Sequence, residues 1–93
     1  MSETVHVTAG HIANGRPEDP CACPIALAIK EQYAPDDIYV STGSISMRHR
    51  GCDLEARLHI DGGRFIYNFD HGQPVEPFDL DLAWEPSDGL MLP

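Results

Sequence analysis

The chain has 93 residues, with 15 Asp and Glu against 6 Lys and Arg and a formal net charge of -9. That length holds one small domain with a single core, and 42% hydrophobic with 23% charged residues describes a folded globule rather than a disordered chain. The acidity argues against a partner held through its phosphates, because repulsion replaces the counterion release that favours cationic binders.

The start, MSETVHV, carries neither a basic n-region nor an apolar h-region, and no apolar run approaches a membrane span. Cytoplasmic residence without membrane insertion is therefore expected. Three cysteines, Cys21, Cys23 and Cys52, cannot all pair within one chain, which fits a reducing compartment. The charge is uneven. Residues 1–52 carry 6 acidic and 4 basic residues, whereas residues 53–93 carry 9 and 2, and no Lys or Arg follows Arg64.

Val5 and Val7 alternate with polar neighbours and predict a first strand over Thr4–Thr8. Thr8 then caps a short helix, Ala9–Asn14, which Gly15 is expected to stop at C′. RPEDP at 16–20 reads as a stiff loop. A second helix over Pro24–Tyr33 follows, with Cys23 at the cap and Pro24 at N1, where its missing N–H costs nothing. Ile25, Leu27, Ala28 and Ile29 are apolar nearly all round, so this helix is expected at the centre of the core. Pro35 prevents its continuation.

Strands Ile38–Ser41 and Ser44–His49 flank a Thr42-Gly43 hairpin signal, and Arg50-Gly51-Cys52-Asp53 marks another turn. Leu54, Ala56, Leu58 and Ile60 alternate with polar residues, predicting a half-buried antiparallel strand. The next stretch has two readings. Asp61-Gly62-Gly63 resembles a hairpin turn leading into Phe65, Tyr67 and Phe69. Equally, Phe65, Ile66 and Phe69 share one helical face, with Asp61 as cap and Gly72 as stop; the pattern prefers this helix, roughly Gly63–His71. Finally Phe78, Leu80, Leu82 and Trp84 alternate with Asp79, Asp81 and Glu85, a last strand with an acidic outer face and an edge guarded by its charges. The whole is expected to be an α+β domain over residues 1–85. It would have an antiparallel sheet of four or five strands, one main helix at 24–33 and one or two shorter helices, with 86–93 as a loose tail.

His11-Ile12, Asn14-Gly15, CPIALAI at Cys23–Ile29 and FDHGQPVEPFDLDL at Phe69–Leu82 carry a resemblance. The chain resembles small actinobacteriophage proteins of unknown function, in particular those of mycobacterial hosts. These share an "HI..G" segment, a "CPIALA" helix and a C-terminal "FI..FD.G..V.PF.F.L" stretch. Phe65-Ile66, Phe69-Asp70, Gly72, Val75, Pro77-Phe78, Leu80 and Leu82 fall on the last pattern, while residues 36–60 match nothing specific. In such relatives the piece before "FD.G" looks helical, which tips the ambiguous segment to helix. The resemblance implies no enzymatic activity and no catalytic residues. It implies a phage accessory protein made in the host cytoplasm that binds a bacterial host protein and alters growth, division, replication or superinfection.

Several constellations compete with that reading. Cys21 and Cys23 with His11, joined by Cys52 or His49, could supply four N/S ligands, but one C-x-C is not the paired knuckle of structural zinc sites; no metal or other cofactor is expected. Cys23 at a helix N-terminus would have a lowered thiol pKa and, with His11 as base, mimic a nucleophile pair. Nothing orients such a pair, so no catalytic residue is assigned. Arg48-His49-Arg50 with Arg57 and Arg64 reads as internal charge balance, and direct nucleic-acid binding is not expected. The acidic strand admits an alternative, a DNA-mimic inhibitor of a DNA-binding protein.

Trp84 reads either as a lid on the core or as an interface anchor, and the apolar tail with Leu90 and Met91 has no obvious home in so small a domain. That tail could seal the sheet, form a homodimer contact or engage a partner. The expected partner surface is therefore Asp79, Asp81, Trp84, Leu90 and Met91.

Overall fold

The computed structural model describes residues 2–86. In chain order these form β1 (Ser2–Val7), α1 (Ala9–Asn14), α2 (Pro24–Tyr33), β2 (Asp37–Val40), β3 (Ser44–His49), β4 (Cys52–Arg57), α3 (Ile60–Asp70), β5 (Phe78–Ala83) and β6 (Glu85–Pro86). The architecture is α+β, and every strand pair is antiparallel.

The single expected sheet is divided. β1 pairs with β5, and the other strands run in the order β2-β3-β4-β6. Only Trp84 separates β5 from β6, so one chain segment serves both sheets. Ala83 lies opposite Ser2, the first described residue of β1, and two residues later Glu85 lies opposite Glu55 of β4. The last strand therefore changes partner just past its pairing with Ser2.

Local chemistry explains most boundaries. Thr8 caps α1, its Oγ1 accepting the His11 N–H at 3.4 Å while His11 Nδ1 accepts the Thr8 N–H at 3.0 Å. Gly15 does not adopt the expected left-handed stop. Its φ is -72°, and its value lies in proximity instead, since a Cβ there would come within 2.7 Å of Pro24 Cδ. α2 begins with the Cys23 cap and Pro24 and ends at Ala34, left-handed at φ 49°, before Pro35. The β3–β4 hairpin turns on Arg50 and Gly51, both at positive φ, as a two-residue turn between right-twisted strands requires.

Ile60 departs from expectation. The alternation through Leu54, Ala56 and Leu58 places it inside, yet it is 63% exposed and opens α3. The chain leaves β4 after Arg57, Leu58 N–H bonds Gly43 O at 3.0 Å, and His59 caps the helix by accepting the Asp61 N–H. Asp61 is therefore not the cap but a first-turn acid, favourable to the helix dipole.

α3 is a helix, three residues earlier at its start than the pattern indicates, and at 11 residues it matches the 10-residue α2 rather than being a minor element. The Gly62-Gly63 pair that resembles a hairpin turn serves close packing. A Cβ on Gly62 would lie 2.6 Å from Leu58 Cδ1, and one on Gly63 would lie 2.7 Å from the Thr42 carbonyl. Gly72, at φ 74°, closes the helix end, its N–H bonding Phe69 O.

One contiguous core joins β1 (Val5, Val7), α2 (Ile25, Ala28, Ile29), β2–β3 (Ile38, Val40, Ile45, Met47), α3 (Phe65, Ile66) and β5 (Leu80, Leu82). α2 lies against β1 and β2. The other set of strand residues, including Thr4, His6, Tyr39, Ser46, Glu55, Asp79 and Asp81, is exposed on the opposite face.

Candidate functional site

The acidic strand is where the alternation of a pleated strand puts it. Leu80 and Leu82 enter the core while Asp79 and Asp81 stand exposed on the outer face. Both carboxylates reach across to β1. Asp81 Oδ1 accepts the Thr4 hydroxyl at 2.7 Å, and Asp79 Oδ1 lies 2.7 Å from His6 Nδ1. In each case Oδ2 has no hydrogen-bond partner among the described residues. Both contacts are exposed to solvent, so they add little stability.

Beside this strand lies an open groove of about 720 Å³. One wall is α3, presenting Asp61, Arg64, Phe65 and Asn68. These recur at i, i+3, i+4 and i+7, one face of a helix. The other side is Pro74–Asp81, the loop into β5 and the first half of that strand. Phe65 and Phe78 meet at the floor with ring centroids 4.7 Å apart. Carboxylates from Asp61, Glu76, Asp79 and Asp81 face Arg64 and the His59 imidazole, so the groove carries net negative charge.

Of the residues expected to bind a partner, Asp79 and Asp81 border this groove, and Trp84 does not. Trp84 packs half-buried on the core, edge-on to Tyr33 at 5.9 Å and 82°, in the position of a lid. Trp84 lies just beyond β5 and packs on the core that Leu80 and Leu82 enter, whereas Asp79 and Asp81 stand on the outer face. Burial pushes the Tyr33 phenol up, and the hydrogen bond it donates to the Glu3 carboxylate adds to the shift. Leu90 and Met91, and residues 87–93 of the expected tail generally, lie outside the described residues; Pro86 belongs to β6.

The cysteine and histidine candidates are dispersed. His11 uses both ring nitrogens, Nδ1 accepting from Thr8 and Nε2 lying 2.7 Å from Glu31 Oε1. Cys21 and Cys52 are exposed, whereas Cys23 is buried with its Sγ accepting the Ala26 N–H at 3.5 Å. Among the described residues no group of three or more His, Cys, Asp or Glu is placed to hold a metal ion. The expected activation of Cys23 is reversed. Burial pushes its thiol pKa up and outweighs the lowering by backbone N–H groups at the start of α2. The basic residues are likewise spread: Arg48 Nε donates to Asp53 at 3.0 Å, and Arg64 stands in the acidic groove.

The groove residues His59, Asp61, Arg64, Asn68 and Glu76 did not emerge from the linear pattern as a site. The i, i+3, i+7 spacing of Asp61, Arg64 and Asn68 is the signal that could have drawn them together, once the segment is taken as a helix. No family model matches the chain, and no curated protein or solved structure is significantly similar to it. Among the described residues no helix is long and apolar enough to cross a membrane.

Proposed function

We propose that the chain is a non-enzymatic binding protein that modulates or inactivates a bacterial host protein. It would act in the host cytoplasm as phage-type accessory proteins do, in takeover of growth and division or in superinfection exclusion. The observation that carries this reading is the acidic groove between α3 and β5, with carboxylates at its rim and the Phe65–Phe78 pair at its floor. Such a surface suits a cationic protein. Complementary charge speeds encounter, and apolar contact at the centre holds the complex. The family resemblance points the same way, because it implies accessory binding rather than catalysis.

The test is an affinity capture from mycobacterial or other actinobacterial lysate at low and moderate salt, with identification by mass spectrometry. It is repeated with the Asp79→Lys/Asp81→Lys double variant. One reproducible host protein is expected with the wild-type chain, weakened by salt and lost with a folded double variant. Equal capture by both chains, or no capture by the wild type at either salt, removes the acidic-surface reading.

A further inference from the structure

The groove has a property beyond its charge. β5 spends one edge on β1, in register from Ser2↔Ala83 to Val7↔Phe78. Among the described residues its other edge has no strand partner from Phe78 to Asp81, because β4, paired with β3 on one side, meets this last segment only at Glu85 and Pro86. No loop backbone or side chain among the described residues bonds the main chain there either. The groove runs along this edge. It is lined by Asp79, Leu80 and Asp81 in succession, so it touches both faces of the strand and the edge between them. An unpaired strand edge beside a helix is the arrangement in which extended peptides add to a sheet, main-chain bonds giving affinity and alternate side chains giving specificity.

We propose that the β5 edge is a strand-pairing site for an extended segment of a partner protein in which basic and apolar residues alternate. The inference rests on the binding-protein reading above and specifies how the partner is held. An added strand obeys the same pleat as β5. Side chains on its outer face would lie beside Asp79 and Asp81, whose Oδ2 atoms have no hydrogen-bond partner among the described residues. Side chains on its inner face would lie against Gly62, Phe65 and Leu80. Four edge residues at about 3.3 Å each accommodate a segment of about four to six residues. Lys or Arg at alternate positions answers the rim, and Val, Ile or Leu between them answers the floor.

Charges on an edge strand have another use, to repel unwanted pairing, and the experiment separates the two. The full chain is titrated with a blocked peptide of alternating Lys and Val, about six residues long, by fluorescence anisotropy and amide chemical shifts. Two control peptides carry the same charge: one N-methylated at every residue, so that neither of its edges can donate, the other with its Lys and Val residues grouped in blocks. The alternating peptide is expected to bind, with shifts concentrated at Phe78–Asp81 and the Asp61–Asn68 face. The N-methylated peptide is expected to bind at least about tenfold more weakly, since it keeps the charge and loses the main-chain bonds. Asp79→Asn with Asp81→Asn should weaken the alternating peptide and flatten its salt dependence.

Equal binding of all three peptides would overturn edge pairing, as would shifts on the Tyr39–Ser46–Glu55 face. So would a wild type that binds no peptide while the double Asn variant self-associates, because the carboxylates would then be guards. If a lysate protein is captured by wild type and lost on charge reversal while these peptides fail, edge pairing alone falls. If both experiments fail, the binding-protein reading falls with it.

Discussion

The two long helices are close in length and opposite in use. α2 buries Pro24, Ile25, Ala26, Ala28 and Ile29, half of its residues, between β1 and β2. α3 buries only Gly62, Phe65 and Ile66, exposes Tyr67, and turns its Asp61–Arg64–Asn68 face towards a groove. A helix apolar on most sides is held wherever the core is deepest, and there it supplies stability. An amphipathic helix touching the sheet along a narrow stripe leaves space beside it, and here that space borders a strand edge unpaired among the described residues. The difference teaches where the molecule can afford to interact: beside α3, not beneath α2.

The largest test of that contrast is truncation on each helix. Ile29→Ala, at a fully buried position of α2, is expected to cost about 2–5 kcal/mol in urea unfolding. Tyr67→Ala on α3, 59% exposed, should change stability by no more than about 0.5 kcal/mol. Comparable losses at the two positions would erase the distinction.

A medium effect concerns the glycine pair that lets α3 approach the sheet. Gly63→Ala forces a Cβ towards the Thr42 carbonyl. It should cost about 1–3 kcal/mol in overpacking, more than the roughly 1 kcal/mol that Ala gains in a helix. Gly10→Ala in α1 meets only Thr8 Oγ1 at 3.7 Å, so it should stabilise by about 0.5–1 kcal/mol. A stabilised Gly63→Ala protein would show that α3 has room to shift, and the close-approach argument would fail.

The smallest expected effect separates the caps. His59 at the start of α3 is exposed, whereas Cys23 at the start of α2 is buried and its thiol pKa is raised. A thiol whose folded pKa exceeds its unfolded value contributes stability that is fully present below the unfolded value, about 8.5, and is lost as pH rises past it. Unfolding free energy should therefore be lower at about pH 10 than at about pH 7, with the difference reduced in Cys23→Ala. Tyr33, also raised, acts in the same direction at still higher pH. Thiol labelling supplies the direct check: Cys21 and Cys52 should react in the folded protein and Cys23 only on unfolding. Rapid native labelling of all three would contradict the burial.

Much of the fold was legible because its signals are local. A Thr8 cap, Pro24 at N1, the Arg50-Gly51 turn and the alternation of Phe78–Leu82 each act within a few residues, so α1, α2, the β3–β4 hairpin and β5 follow from the chain itself. Asp79 and Asp81 were legible as an exposed acidic face for the same reason. Gly62-Gly63 left two readings open because a glycine pair serves equally for a turn and for close packing, and only the neighbours Leu58 and Thr42 tell which.

By itself the sequence determined an acidic α+β chain, its helix caps and the two-faced character of its strands, since backbone propensity, proline geometry and the strand period are properties of short segments. Tertiary structure alone decided that β1 pairs with β5, that the last strand changes partner at Trp84, and that Trp84 is a lid while Asp79 and Asp81 rim a groove. Those outcomes join residues as far apart as Thr4 and Asp81, separated by 77 positions. Which of many compatible apolar strands meet is set by the packing of the whole core, and no local pattern encodes that choice.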